Sequence, residues 1–118
     1  MKPVDQSTFG NIGNCLSACV ASIFEISISD VPNFCCIKEH PQYDRNWFTA
    51  LADFMIPFGY KPRRRVHPPD GYSIINGNGP RGSRHSCVAF DGKIVHDPHP
   101  DKTGLLNITD YIMVEKIE

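Results

Sequence analysis

An α+β fold, with helices in the first half of the chain and an antiparallel sheet in the second, is predicted by three observations. Apolar residues recur at helical spacing over Cys15–Phe24 and again over 44–58. After Gly59 they gather in short extended runs. Pro and Gly clusters separate those runs. Helices followed by strands, without the alternation that builds a parallel sheet, place the helices against one antiparallel sheet. At 118 residues the chain has room for one core and reads as a single domain over 1–118.

The first helix is set by Leu16, Val20, Ile23 and Phe24, with Asn14 as a suitable N-cap after Gly13. Cys15 is then its first helical residue, and Cys19, four residues on, packs one turn deeper on the same face. The second helix carries Trp47, Phe48, Leu51, Phe54, Met55 and Phe58 on one stripe, with Asp44, Arg45, Asn46 and Asp53 off it. Such a stripe is core, and Pro57 and Gly59 mark its end. Strands are expected over 61–66, 72–76, 84–90, 93–96 and 111–116.

Charge is balanced, with 12 Lys+Arg against 13 Asp+Glu, which argues against a polyanion-binding protein and makes nucleic acid an unlikely partner. The opening MKPVDQSTFG lacks the apolar segment of a secretory signal, and no run has the length of a membrane span. Five cysteines, an odd number, then point to reduced thiols and a cytoplasmic setting. Three of the cysteines read as small core residues, and of Cys15, Cys19, Cys35, Cys36 and Cys87 only Cys15 is placed like a reactive group. Lys61-Pro62-Arg63-Arg64-Arg65 reads as a charged edge strand, with an anion-attracting rim as the sharper alternative.

A thiol in the first turn of a helix faces unpaired N–H groups and the positive end of the helix dipole, which favour thiolate and make Cys15 a candidate nucleophile. Its partners are sought in the hairpin from Arg84 to Pro98, whose strands join at Asp91-Gly92. Two loop lengths are open. A two-residue turn sets Phe90 against Lys93 and Cys87 against His96, and sends Asp97 to the sheet face opposite His85. A three-residue loop with Gly92 in the bulge position sets His85 directly against Asp97. The second is expected, because it pairs an imidazole with the carboxylate that orients it.

Gln6, then Asn14-Cys15 at a helix start, then His85-x-x-Val88 on a strand and Asp97-Pro98 one hairpin later, together resemble the papain-like cysteine peptidases. The resemblance is to the double-glycine leader peptidases that process bacteriocins and to short papain-like proteins of bacteriophages and prophages. It spans Gln6 to Pro98 and rests on the order Cys, His, Asp. It implies a papain-like fold, a peptide or protein substrate, a bacterial or phage-infected cytoplasm, and no cofactor. It also implies roles: Cys15 as nucleophile, His85 as general base and acid, Asp97 as orienting carboxylate, and Gln6 as the oxyanion donor, a role for which Asn11 or Asn14 competes.

The glycine-containing stretch from Asn76 to Gly82 reads as a wall of the substrate cleft, so Gly79 and Arg81 join Asn14 and His96 as expected substrate-binding residues. Two other classes stay open. One is a silent papain-like module that binds protein without chemistry. The other is a zinc-stabilised, nucleic-acid-binding protein whose ligands would come from His85, Cys87, His96 and His99, although their spacing fits no standard finger.

Overall fold

The computed structural model describes residues 1–118 and has the expected α+β architecture. Helix α1 spans Cys15–Phe24 and α2 spans Trp47–Met55, with short 3-10 turns around them. Strands β1 (Tyr60–Arg65), β2 (Tyr72–Asn78), β3 (Arg84–Phe90), β4 (Lys93–His96) and β5 (Asp110–Lys116) form one sheet in the order β1-β5-β2-β3-β4. Every neighbouring pair is antiparallel. No helix is long and apolar enough to cross a membrane.

Helix α1 is the centre of the fold, since its first eight residues are all buried. Its two buried serines are satisfied internally: Ser17 Oγ donates to the Pro32 carbonyl at 2.6 Å and Ser22 Oγ to the Ala18 carbonyl at 2.7 Å. The helix ends where Glu25 takes a left-handed conformation. One sheet face packs Ile74, Val88 and Ile112 against Leu16, Val20, Leu51 and Met55 of the helices. The opposite face carries Ile75, Cys87, Ala89 and Tyr111, covered by Leu105.

Helix α2 starts later than the apolar stripe suggests, because Asn46 caps it by accepting from the Phe48 and Thr49 N–H groups. Such a cap contributes about 1 kcal/mol. Pro57 falls in a 3-10 turn over Ile56–Phe58, and Gly59, at φ 85°, stops it. Only Leu51, Phe54 and Met55 of the expected stripe are deeply buried; Trp47 and Phe48 are half-buried and Phe58 is exposed. The cysteines also divide. Cys19 and Cys87 are fully buried, whereas the 3-10 turn over Phe34–Glu39 sends Phe34 and Ile37 inward and leaves Cys35 exposed and Cys36 half-exposed.

The hairpin departs from the expected register. Phe90 pairs with Lys93, so the turn is Asp91-Gly92 alone, both at positive φ, rather than the three-residue loop. Ala89 then pairs with Ile94 but Val88 pairs with His96, which leaves Val95 as the extra residue of a β-bulge. Continuing that pairing brings Asp97 beside Cys87 and onto the face of His85. A regular ladder would have put it on the face of Ser86. The bulge achieves by another route what the longer loop was expected to do.

Gly77 pairs with His85 across β2 and β3, and a Cβ there would overlap the Asn107 carbonyl oxygen. Gly77→Ala is expected to cost about 1–3 kcal/mol by overpacking, read as a lower urea midpoint with an unchanged m-value.

Candidate active site

Cys15 opens α1, but Asn14 does not cap it. The Asn14 Oδ1 instead accepts from the Ser7 and Thr8 N–H groups at 2.8 and 3.0 Å, and its Nδ2 donates to Ser7 Oγ. The amide is used to fold the amino-terminal segment across the helix start, and the first-turn N–H groups of Cys15 and Leu16 stay turned to the sulfur. The Ser86 backbone N–H also reaches that sulfur. These contacts favour thiolate, yet Cys15 is only 9% exposed, and burial outweighs them and raises the thiol above its ordinary range. The acidic thiol expected from the helix dipole is therefore not the resting state. Desolvation is the stronger effect.

His85 is 4% and Asp97 5% exposed, and His85 Nε2 meets Asp97 Oδ1 at 2.6 Å. With a carboxylate as acceptor, Nε2 carries the proton and Nδ1 keeps the lone pair. Burial lowers the imidazole below its ordinary value, against the opposing pull of Asp97. Asp97 is held below the usual carboxylate range despite its burial, because it accepts from His85, from the His99 N–H at 2.9 Å and from the Gly104 N–H at 2.8 Å. The ring is thus fixed in one tautomer, and it makes no hydrogen bond to Cys15.

Strand alternation puts Ser86, not His85, on the helix-facing side with Val88. His85 is the second residue of β3, however, and at this end of the sheet its ring opens onto the same two cavities as Cys15. The first cavity, about 240 Å³, has an apolar wall of Leu16, Phe34 and Trp47. Its polar wall is a relay in which Ser86 Oγ donates to Asn76 Oδ1 at 2.6 Å, and Asn76 Nδ2 donates to Asp110 Oδ1 at 3.0 Å. Arg64 closes the relay on Asp110. The second cavity, about 290 Å³, is more polar, with Gln6, Gly13, Arg81, Ser83 and His99 among its walls. Cys15, Cys35, Arg84 and His85 belong to both cavities and form the ridge between them.

Of the residues expected from sequence, Gln6 and Arg81 line the second cavity, and Asn14, Gly79 and His96 line neither. His96 instead ties down the amino-terminal segment, its Nε2 donating to the Val4 carbonyl at 2.8 Å. Gly79 closes the loop before β3 by donating to the Ser83 carbonyl, and a Cβ there would press on His85 Cβ. Gln6 Nε2 donates to the Thr8 carbonyl at 2.9 Å, while its buried Oε1 has no partner. Ser86, Cys35 and Phe34 were not legible as site residues. Only the position of Ser86, next to a candidate base, could have drawn notice.

His85, Cys87 and Asp97 offer ligand atoms within 4.8 Å of one another, a set with the chemistry of a zinc site. The Asp97 oxygens already accept three N–H donors, which suits a hydrogen-bonded carboxylate better than a metal ligand. The other expected zinc ligands do not complete this set: His96 Nε2 is engaged with the Val4 carbonyl, and His99 Nδ1 accepts from the Asp101 N–H at 3.0 Å. Comparison with known proteins returns no matching family model, curated protein or solved structure.

Two outcomes follow from this geometry. The unfolded His85 takes a proton near pH 6.5 and the native one only below that, so stability should fall as pH drops below about 6.5. Asp97 adds a further loss below about pH 3.9, because the native carboxylate resists protonation. Cys15 and Cys19 are raised by burial, and Cys87 is pushed up to about 12, so these thiols stay protonated where unfolded thiols ionise. Stability should therefore also fall above about pH 8.5. Urea midpoints should trace a plateau between those limits, and a midpoint independent of pH from 4.5 to 10 would contradict these environments. Deleting Val95 should remove the bulge yet leave His96 opposite Val88 and Asp97 beside Cys87, read by proton NMR as a retained hydrogen-bonded His85 Nε2–H signal; loss of that signal while β3 amides persist would contradict this register.

Proposed function

We infer that the chain is a papain-like cysteine hydrolase that cleaves an amide bond of a peptide or protein through a thioester on Cys15. One observation carries the reading: a buried 2.6 Å hydrogen bond between His85 and Asp97, on the wall of a cleft whose ridge holds a thiol at a helix start. The order Cys, His, Asp and the helices packed on an antiparallel sheet accord with it. Five free cysteines accord with the reducing cytoplasm of a bacterial or phage-infected cell.

Both resting groups are neutral, the thiol because burial raises it and the imidazole because burial lowers it. Proton transfer then accompanies attack: His85 Nδ1 takes the Cys15 proton as sulfur bonds to the carbonyl carbon. The oxyanion forms beside the uncapped N–H groups of the first turn. The Gln6 amide, one proton held by Thr8, stands on the same cavity wall with its second N–H free to donate. The imidazolium gives its proton to the leaving nitrogen, the C–N bond breaks, and a thioester remains. Water then adds with its proton passing to His85. The C–S bond breaks and the proton returns to sulfur. Asp97 keeps the ring in the required tautomer throughout. The pocket of Leu16, Phe34 and Trp47 accepts an apolar side chain of the substrate.

The reading is tested with a peptidyl chloromethyl ketone at pH 7 on Cys35→Ser protein, since Cys35 is exposed in the same cleft. Cys15 should be alkylated far faster than free cysteine. His85→Ala should slow it by about 10²- to 10⁴-fold. Labelling no faster than a free thiol, or indifferent to His85→Ala, rejects the hydrolase.

A further inference from the structure

The charges along the cleft do not balance. Its two cavities are lined by Arg64, Arg81 and Arg84 but by a single carboxylate, Asp110. Asp110 is already committed, accepting from Arg64 Nε at 2.9 Å and from Asn76 at 3.0 Å. Arg81 and Arg84 form no ion pair; each donates through Nη1 to a threonine hydroxyl, Thr103 and Thr109 respectively, at 2.9 Å. A neutral hydroxyl fixes a guanidinium in place without neutralising it. Each guanidinium keeps further N–H groups to offer.

Their positions give this charge a use. Arg84 precedes His85 in β3 and belongs to the ridge between the cavities, while Arg81 stands on the wall of the second. Arg81 is close enough to His85 to disfavour its protonation. The second cavity therefore has a positive wall beside the reacting groups, and the first has an apolar one. A neutral or basic substrate would leave both guanidiniums uncompensated, whereas a carboxylate could take bidentate hydrogen bonds from either.

We propose that the cleft selects substrates with a carboxylate beside the scissile bond, held by Arg81 and Arg84 in the second cavity. This rests on the hydrolase reading and narrows it to acidic peptides or acyl groups. Two fixed cations close to the bound anion should be worth about tenfold in selectivity at low salt, falling as ionic strength rises.

The test compares alkylation of Cys15 by iodoacetate and iodoacetamide in the Cys35→Ser background, mapped by mass spectrometry at pH 7 and 20 mM salt, on the order of the low-screening regime. The two reagents make the same bond to sulfur and release the same iodide; they differ in the carboxylate. The expected iodoacetate-to-iodoacetamide ratio is about ten times that of free cysteine. It should fall several-fold in Arg81→Gln and in Arg84→Gln, and to the free-thiol value in the double variant. A wild-type ratio equal to that of free cysteine overturns the proposal. So does a raised ratio that survives the double substitution, which would show that neither arginine is its source. Either result leaves the hydrolase reading standing. If Cys15 resists both reagents, that reading fails and this one with it. Both arginines are exposed, and circular dichroism of each variant checks that the fold is retained.

Discussion

The buried hydrogen bond between His85 and Asp97 is the constraint to which the rest of this molecule is fitted. A carboxylate 5% exposed is tolerable only if its oxygens are satisfied, and three N–H donors meet that need: the His85 ring and the His99 and Gly104 backbone. Those donors come from β3 and from the loop after β4, so satisfying Asp97 also fixes the path of that loop. The same loop is anchored to the amino-terminal segment, since the Pro98 carbonyl accepts from the Gln6 N–H at 3.0 Å and Lys102 Nζ donates to Asp5 Oδ1 at 2.7 Å as well as to the Asp97 carbonyl at 2.6 Å. The amino-terminal segment, the helix start and the end of the β3–β4 hairpin thus form one connected unit around the cleft.

Burial explains why Cys15 and His85 rest neutral in this unit. At the start of an α-helix the dipole and free N–H groups supply at most a kcal/mol or two in favour of an anion. Removing a thiolate from water costs more than that in an apolar setting. Cys15 has Leu16 and Phe34 as cavity neighbours and Cys19 and Cys87 beneath it, so desolvation decides. The same effect lowers His85. The two shifts favour a thiol and a neutral imidazole together, a pair from which a proton can move without first creating buried charge.

Much of the fold was legible in the sequence, because its signals are local. The helical spacing of Leu16, Val20 and Ile23, the break at Pro57 and Gly59, and the Asp91-Gly92 turn each act within a few residues; α1 and the strands lie close to where their patterns place them, while α2 is shorter at both ends than its stripe. Cys15, His85 and Asp97 were legible for the same reason: a helix start, a strand start and an Asp-Pro step are local features. Cavity walls were not. Trp47 reads as one more apolar position on a helical stripe, and only the packing of α2 against β1 and the Phe34 turn leaves it half-buried beside Arg64. Asn14 looked like a cap because its spacing to the helix is right, but Ser7 and Thr8 compete for its amide once the amino-terminal segment folds back.

The hairpin brings His85 and Asp97 together by a bulge and not by its turn. Pairing His85 with Asp97 demanded a one-residue change of phase somewhere between them, and the turn was the obvious place to put it. The chain makes that change at Val95 instead, and keeps the tight type I′ turn that Asp-Gly favours. A trace of this is present in the sequence: Ile94 and Val95 are adjacent β-branched residues, and strict alternation would bury one of them. Both are exposed, which is what a strand loses when a bulge interrupts its pleat. The bulge also explains why β4 is short. Beyond it the chain has turned Asp97 inward, and the carboxylate takes its hydrogen bonds from a side chain and from loop N–H groups instead of continuing the ladder.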